Sequence, residues 1–142
     1  MIPKKSNSGI CIMGNYEISI QDSFGKKELA YGDNGGVYAF AYGSDSKRGA
    51  GSPPRVNASR PPGQWESLHV WFRAPRYDAG KKTENGRVVR VEHNGVLVQE
   101  NWELTTTTRA SPPWEERAEA PLLLQGDHGP VAFRNVYIRP LR

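Results

Sequence analysis

Residues 87–101 read RVVRVEHNGVLVQEN: two runs of alternating apolar and polar residues hinged on Asn94-Gly95. Alternation with a period of two is the signature of a half-buried strand. Asn-Gly is the dipeptide that tolerates positive φ at both central positions of a tight hairpin turn. The stretch predicts a β-hairpin, with His93 opposite Val96 and Val91 opposite Val98. Helices are disfavoured elsewhere too: 15 glycines and 11 prolines punctuate a chain whose Val, Ile, Thr, Tyr and Trp residues suit strands. At 142 residues one domain is expected, large enough to bury about 70% of its unfolded surface around a single core.

Working outward, GICIMG and NYEISIQDSF read as two strands joined by a turn at Gly14-Asn15. Within the second, Tyr16, Ile18 and Ile20 point to one side and Glu17, Ser19 and Gln21 to the other. VYAFAYG, residues 37–43, reads as a further short strand, and Ser44 to Gly63 as a polar surface loop. In QWESLHVWFRAP, Leu68, Val70 and Phe72 alternate with His69, Trp71 and Arg73. TTTTRASPPWEERAEA is a loop with one helical turn at Glu115 to Ala118. The chain closes on a strand pair, PLLLQ and VAFRNVYIRPL, joined through Gly126 to Pro130.

Charge and cysteine content narrow the function. The net charge is +4, but the basic residues are scattered and no Arg-aromatic module is present, so nucleic-acid binding is not expected. The single Cys11 excludes an internal disulfide and a cysteine-cluster metal site, and its apolar surroundings predict a buried thiol. The first residues hold no apolar stretch of signal-peptide length, and no segment is apolar enough for a membrane-spanning helix.

Candidate chemistry rests on a few side chains. His128, in a glycine-flanked loop with Asp127 beside it, suits a general acid or base whose pKa a carboxylate tunes; the same triplet also suits a plain turn, and both readings stand. Glu17 and Asp22 are candidate catalytic carboxylates, against a solvated Glu17 and a turn-capping Asp22. His69 lies on a polar strand face, whereas His93 caps or packs at its turn. Arg134 suits a carboxylate or substrate partner. Tyr38, Trp65, Trp71 and Trp114 are core or rim aromatics on which a sugar ring can stack.

Taken in order, NSGICIMGNYEISIQDSFG, NASRPPGQWESLHVWFRAPRYD, HNGVLVQEN and PLLLQGDHGPVAFRNVYIRPL resemble the 3-keto-disaccharide hydrolase domain family, long known only as a domain of unknown function. The resemblance spans nearly the whole chain. It implies an all-β fold, a concanavalin A-like (jelly-roll) antiparallel β-sandwich with the sugar site on a concave face, in a family often exported in bacteria. The implied function is a carbohydrate-active hydrolase or lyase that cleaves 3-keto glycosides by C2 proton abstraction and β-elimination. Its alternatives are a non-catalytic carbohydrate-binding module or a structural assembly subunit of the same fold. On this reading the catalytic set is His128, Glu17 and Asp22, and the sugar-binding set is Asn7, Ser19, Tyr38, His69, Trp71, Gln125 and Arg134. Arg134, or a divalent metal ion held by carboxylates, would stabilise the enolate oxygen. Two departures carry expectations. Ser19 stands where the family strand has Gln, which shortens a substrate contact. Family domains also begin several strands ahead of NSG, so a sandwich short of its N-terminal strands is expected, either as a natural short form or completed by a second copy or a partner chain.

Overall fold

In the computed structural model the Asn94-Gly95 hairpin forms as its chemistry requires: Asn94 and Gly95 take φ of 51° and 79° between two long strands. The structure describes residues 6–39, 51–108 and 115–141. Among the described residues eight strands run in chain order: β1 (Asn7–Ile12), β2 (Tyr16–Gln21), β3 (Leu68–Arg73), β4 (Arg76–Asp78), β5 (Lys81–Glu84), β6 (Gly86–His93), β7 (Val96–Leu104) and β8 (Leu123–Leu124). All pairings are antiparallel. One sheet has the order β2-β1-β8, a second β3-β6-β7, and β4-β5 forms a small hairpin.

The two larger sheets face each other across one core. Tyr16 and Ile18 from the first, with Val37 bridged to Ile18 beside them, meet Val88, Val91, Val98 and Leu104 from the second, and Phe72 packs on Tyr16 at 5.5 Å between ring centroids. This is an all-β antiparallel sandwich, built because each strand's apolar face has nowhere drier to go. Ile18 is 1% exposed, so Ile18→Ala is expected to lower stability by about 2–5 kcal/mol, read as a lower urea midpoint at an unchanged m-value.

Four expectations need correcting. Val91 pairs with Gln99 and not with Val98, because a bulge makes Val98 an extra residue, leaving Val98 and Gln99 both buried. The bulge has a use: the freed Val98 carbonyl accepts from Arg55 N at 2.9 Å, and the Gln99 carboxamide bonds Ser52 and Pro53, so residues 51–55 lie along β7. The β1–β2 turn takes in Met13 as well as Gly14 and Asn15, with Met13 and Gly14 at φ of 54° and 67°. No helical turn forms in the described residues 115–118.

The fourth correction concerns the closing strand pair. Leu123–Leu124 does pair with β1, but residues 131–141 form no strand, because a strand exists only where a ladder partner satisfies its backbone and none of the described strands runs beside this segment. Val136, Tyr137, Ile138 and Leu141 are consequently exposed, Tyr137 and Ile138 by 77% and 76%. They border an open apolar cleft of about 1970 Å³ whose walls include Ile10, Ile12, Ile20, Val70 and Phe72. Of the strand expected at residues 37–43, Val37 makes isolated bridges to Ile18 and Ser52; residues 40–43, the 44–50 part of the predicted loop, and Trp114 lie outside the described residues.

Candidate active site

The cleft lies on the Ile10/Ile12 side of the first sheet, with Asp22, His69, Trp71 and Arg134 among the residues that line it; Glu17, Ser19 and Tyr38 lie on the other face. Strand alternation puts Asn7, Gly9 and Cys11 on that second face, and the register sets Ser19 opposite Gly9 and Glu17 opposite Cys11. On one flank Tyr38 N donates to the Glu17 carbonyl at 3.0 Å, which places Tyr38 next to Glu17. On the other flank Gln125 N donates to the Gly9 carbonyl at 3.0 Å. Period two therefore brings Asn7, Glu17, Ser19, Tyr38 and Gln125 to one face of the sheet, where Glu17 and Ser19 are buried.

Three glycines clear that surface. A Cβ on Gly9 would stand 2.5 Å from Glu17 Cγ and 2.8 Å from Oε1, so the Glu17 side chain lies across Gly9, toward the flank of Gln125. A Cβ on Gly51 would meet Tyr31 Cβ at 2.6 Å, and one on Gly36 would collide with the Tyr31 carbonyl. The loop carrying Tyr31 thus rests directly on the sheet. Asp33 locks the loop: its carboxylate, 1% exposed, pairs with Lys26 at 2.7 Å and accepts from Ser23 Oγ at 3.0 Å and Ala30 N at 2.7 Å. Burial pushes the Asp33 carboxyl up, but Lys26, Ala30 N–H and Ser23 together hold it below the usual carboxylate range. Ser19 Oγ donates to the Tyr31 carbonyl at 3.2 Å, so the Ser19 hydroxyl secures the loop. Burial first, then the Glu17 charge, pushes the Tyr38 phenol up and keeps it a neutral donor.

His128 follows β8 at the end of the same sheet. Its carbonyl accepts from Asn7 N at 3.1 Å, while Ser8 Oγ donates to the Gln125 carbonyl at 2.7 Å. His128 Nδ1 lies 2.7 Å from Asp127 Oδ1 and 3.1 Å from Gln125 Nε2, and that hydrogen bond from His128 lowers the Asp127 pKa. With Nδ1 donating to Asp127, the exchangeable position of the ring is Nε2.

The remaining expected residues do not join this group. Asp22 Oδ1 caps a turn, accepting from Phe24 N at 3.2 Å. His69 and Trp71 belong to the second sheet, where the Arg90 guanidinium lies 5.5 Å from the Trp71 ring. Arg134 stacks on Trp65 at 4.0 Å beside the apolar cleft. Among the described residues, no group of three or more His, Cys, Asp or Glu is arranged to hold a metal ion. Tyr31, Asp33 and the role of Gly9 escaped the sequence reading; a glycine inside a strand pattern was the available hint of a close approach.

A second buried polar cluster ties the 60–67 segment to β6. Buried His93 hydrogen-bonds Glu66, which also accepts from Asn34 Nδ2 at 2.8 Å and Arg60 N at 2.9 Å. Burial raises the Glu66 pKa, but the bonds from His93, Arg60 and Asn34 outweigh it and the net shift is downward. A depressed folded-state pKa gives stability that is present above the unfolded glutamate value, about 4.3, and lost as pH falls through the folded value. Glu66→Gln is expected to be less stable near neutrality and to lose less stability on acidification below about pH 4.3. Urea titrations at a series of pH values check this; parallel pH profiles for both proteins would refute it.

Comparison with known proteins adds context. A family model described as a 3-keto-alpha-glucoside-1,2-lyase-like domain matches residues 1–139. A crystal structure from Parabacteroides distasonis ATCC 8503, described as a candidate glycosyl hydrolase, superposes with a TM-score of 0.65 at 29% identity, covering 90% of this chain and 53% of that one. The present chain thus spans about half the length of that structure. No curated protein matches. Among the described residues, no helix is long and apolar enough to cross a membrane.

Proposed function

The chain belongs to the 3-keto-alpha-glucoside-1,2-lyase-like domain family, and from that membership we propose that it is a carbohydrate-active protein that cleaves glycosides oxidised at C3. The observation that carries the reading is the Glu17 carboxylate laid across Gly9, between Tyr38 and the β8 edge that leads to His128. A ketone at C3 acidifies the C2 proton, so a carboxylate can remove it. The electron pair first rests on the C3 oxygen as an enolate, then forms the C1–C2 double bond as the C1–O bond breaks. The aglycone leaves as an alcohol once it takes up a proton, and addition of water to the unsaturated ketone completes a net hydrolysis.

Roles follow from local chemistry. Glu17 takes the C2 proton. Tyr38, kept neutral by burial and by the Glu17 charge, donates a hydrogen bond to the enolate oxygen. His128, whose Nδ1 is held by Asp127, protonates the leaving oxygen from Nε2. Arg134 is not assigned to the enolate, because it is stacked on Trp65.

The test is release of a chromogenic aglycone from a 3-keto glucoside, with and without EDTA. Release by wild type well above that by His128→Ala supports the reading. Equal rates overturn it, and saturable sugar binding without turnover favours a carbohydrate-binding module. That second reading has its own support: the Ser19 hydroxyl is engaged by the Tyr31 carbonyl and is not free to serve a substrate. We also propose that copies of the chain associate, with Val136, Tyr137, Ile138 and Leu141 buried between them. A monomeric mass by light scattering at micromolar concentration would overturn this.

A further inference from the structure

Tyr31 combines two properties that usually exclude each other. Tyr31 is 44% exposed, yet its backbone is tied to the sheet and to the loop around it. The Tyr31 carbonyl accepts from Ser19 Oγ, the chain on either side is fixed by the buried Asp33 carboxylate, and Gly36 and Gly51 let this segment settle onto the sheet without any side chain between. An exposed aromatic on a loop normally gains nothing from so rigid a mounting. A rigid mounting is what a stacking platform needs, since an aromatic ring already ordered loses little entropy when a ligand covers it.

The ring is also aimed. Tyr31 and Tyr38 meet edge to face, 5.6 Å between centroids and 78° between planes, and form a two-sided corner. Tyr38 is the nearer to Glu17, being its backbone hydrogen-bond partner across the sheet. A pyranose presents an apolar C–H face and a rim of hydroxyls. Such a ring can lie its C–H face on one phenol and turn its hydroxyl rim toward the polar tip of the other.

We propose that Tyr31 is the platform for the glycone ring, stacking the oxidised pyranose so that its C2–H faces Glu17, and that the Asp33 network is there to hold that platform still. This rests on the reading of the Glu17 face as the active site. The ring recognises the sugar that carries the ketone and not the aglycone, so its contribution is the same for substrates that differ only in the leaving group.

Steady-state kinetics on two chromogenic 3-keto glucosides with different aglycones, together with equilibrium binding of the unoxidised methyl glucoside, test this. Tyr31→Ala is expected to raise KM about tenfold for both substrates, with kcat changed less than KM, and to weaken methyl glucoside binding by a similar factor. Tyr31→Phe and Tyr31→Trp, which keep an aromatic face, should restore KM; thermal melts report whether each variant is folded. A folded Tyr31→Ala with unchanged KM on a wild type that turns over overturns the inference and leaves the proposed reaction intact. Loss of binding in Tyr31→Ala on a wild type that binds but does not cleave supports the platform and overturns the reaction. A wild type that neither binds nor cleaves overturns both.

Discussion

Glu17→Gln is expected to lower turnover of a 3-keto glucoside by about 10²–10⁴-fold, the usual worth of a positioned general base, with little change in folding or in sugar binding. Gln keeps the length and shape of the side chain that lies across Gly9, so the face is not reorganised. What is lost is the negative charge and the ability to take a proton. The same variant carries an internal check that does not depend on turnover. The Glu17 charge is the second cause of the raised Tyr38 pKa, after burial. Removing the charge makes the phenolate cheaper, so Tyr38 should ionise at lower pH in Glu17→Gln, visible as an earlier rise in tyrosinate absorbance at alkaline pH. An unchanged tyrosinate titration would argue that Glu17 does not face Tyr38, and unchanged turnover would remove Glu17 from the reaction.

Gly9→Ala should cost nearly as much without touching any polar group. Gly9 does not have a positive φ, so the backbone accepts alanine. The added methyl would stand 2.5 Å from Glu17 Cγ. β1 is held on both sides, by β2 and β8, and the Glu17 side chain is the softer of the two parties. A displacement of the base by about 1 Å is enough for a loss on the order of 10²-fold. Stability should change little, because the strand residue itself is no worse with alanine. Because the two substitutions act through one carboxylate, their effects should not multiply: Gly9→Ala in the Glu17→Gln background should add almost nothing. Multiplying effects would mean that Gly9 serves the reaction by some route other than Glu17.

Where the sequence was informative, the reason is periodicity. Strand alternation is a local property, and it was enough to find the hairpin at Asn94-Gly95, the β1–β2 pair, and the shared face of Glu17 and Ser19. The bulge at Val98 left no such trace, since VRVEHNGVLV alternates equally well with or without it. What decides the bulge is the partnership of Val98 O with Arg55 N, over 40 residues away in the chain. The 131–141 segment alternates like a strand and is not one, because alternation reports what a segment could pair with and not whether a partner is present. His69 and Trp71 satisfied the same pattern as Glu17, but the pattern cannot say which outward face of which sheet holds chemistry. Tyr31, Asp33 and Gly9 matter through close approaches between segments far apart in sequence, and the Glu66–His93 pair likewise. Apart from the glycine inside the β1 pattern, no residue-type rule records such approaches.

One consequence follows from the first sheet having the proposed active site on one face and the cleft on the other. Along residues 7–12 and 16–21, alternate side chains meet different surroundings: Ile12, Tyr16 and Ile18 pack in the core, and Gly9 and Glu17 lie on the face proposed for turnover. A saturation scan of these two strands, scored separately for soluble yield and for activity per folded molecule, should therefore split into two interleaved tracks. In β2, damage to yield would fall on Tyr16 and Ile18 and damage to specific activity on Glu17, whereas in β1 the fully buried Cys11 would join the yield track.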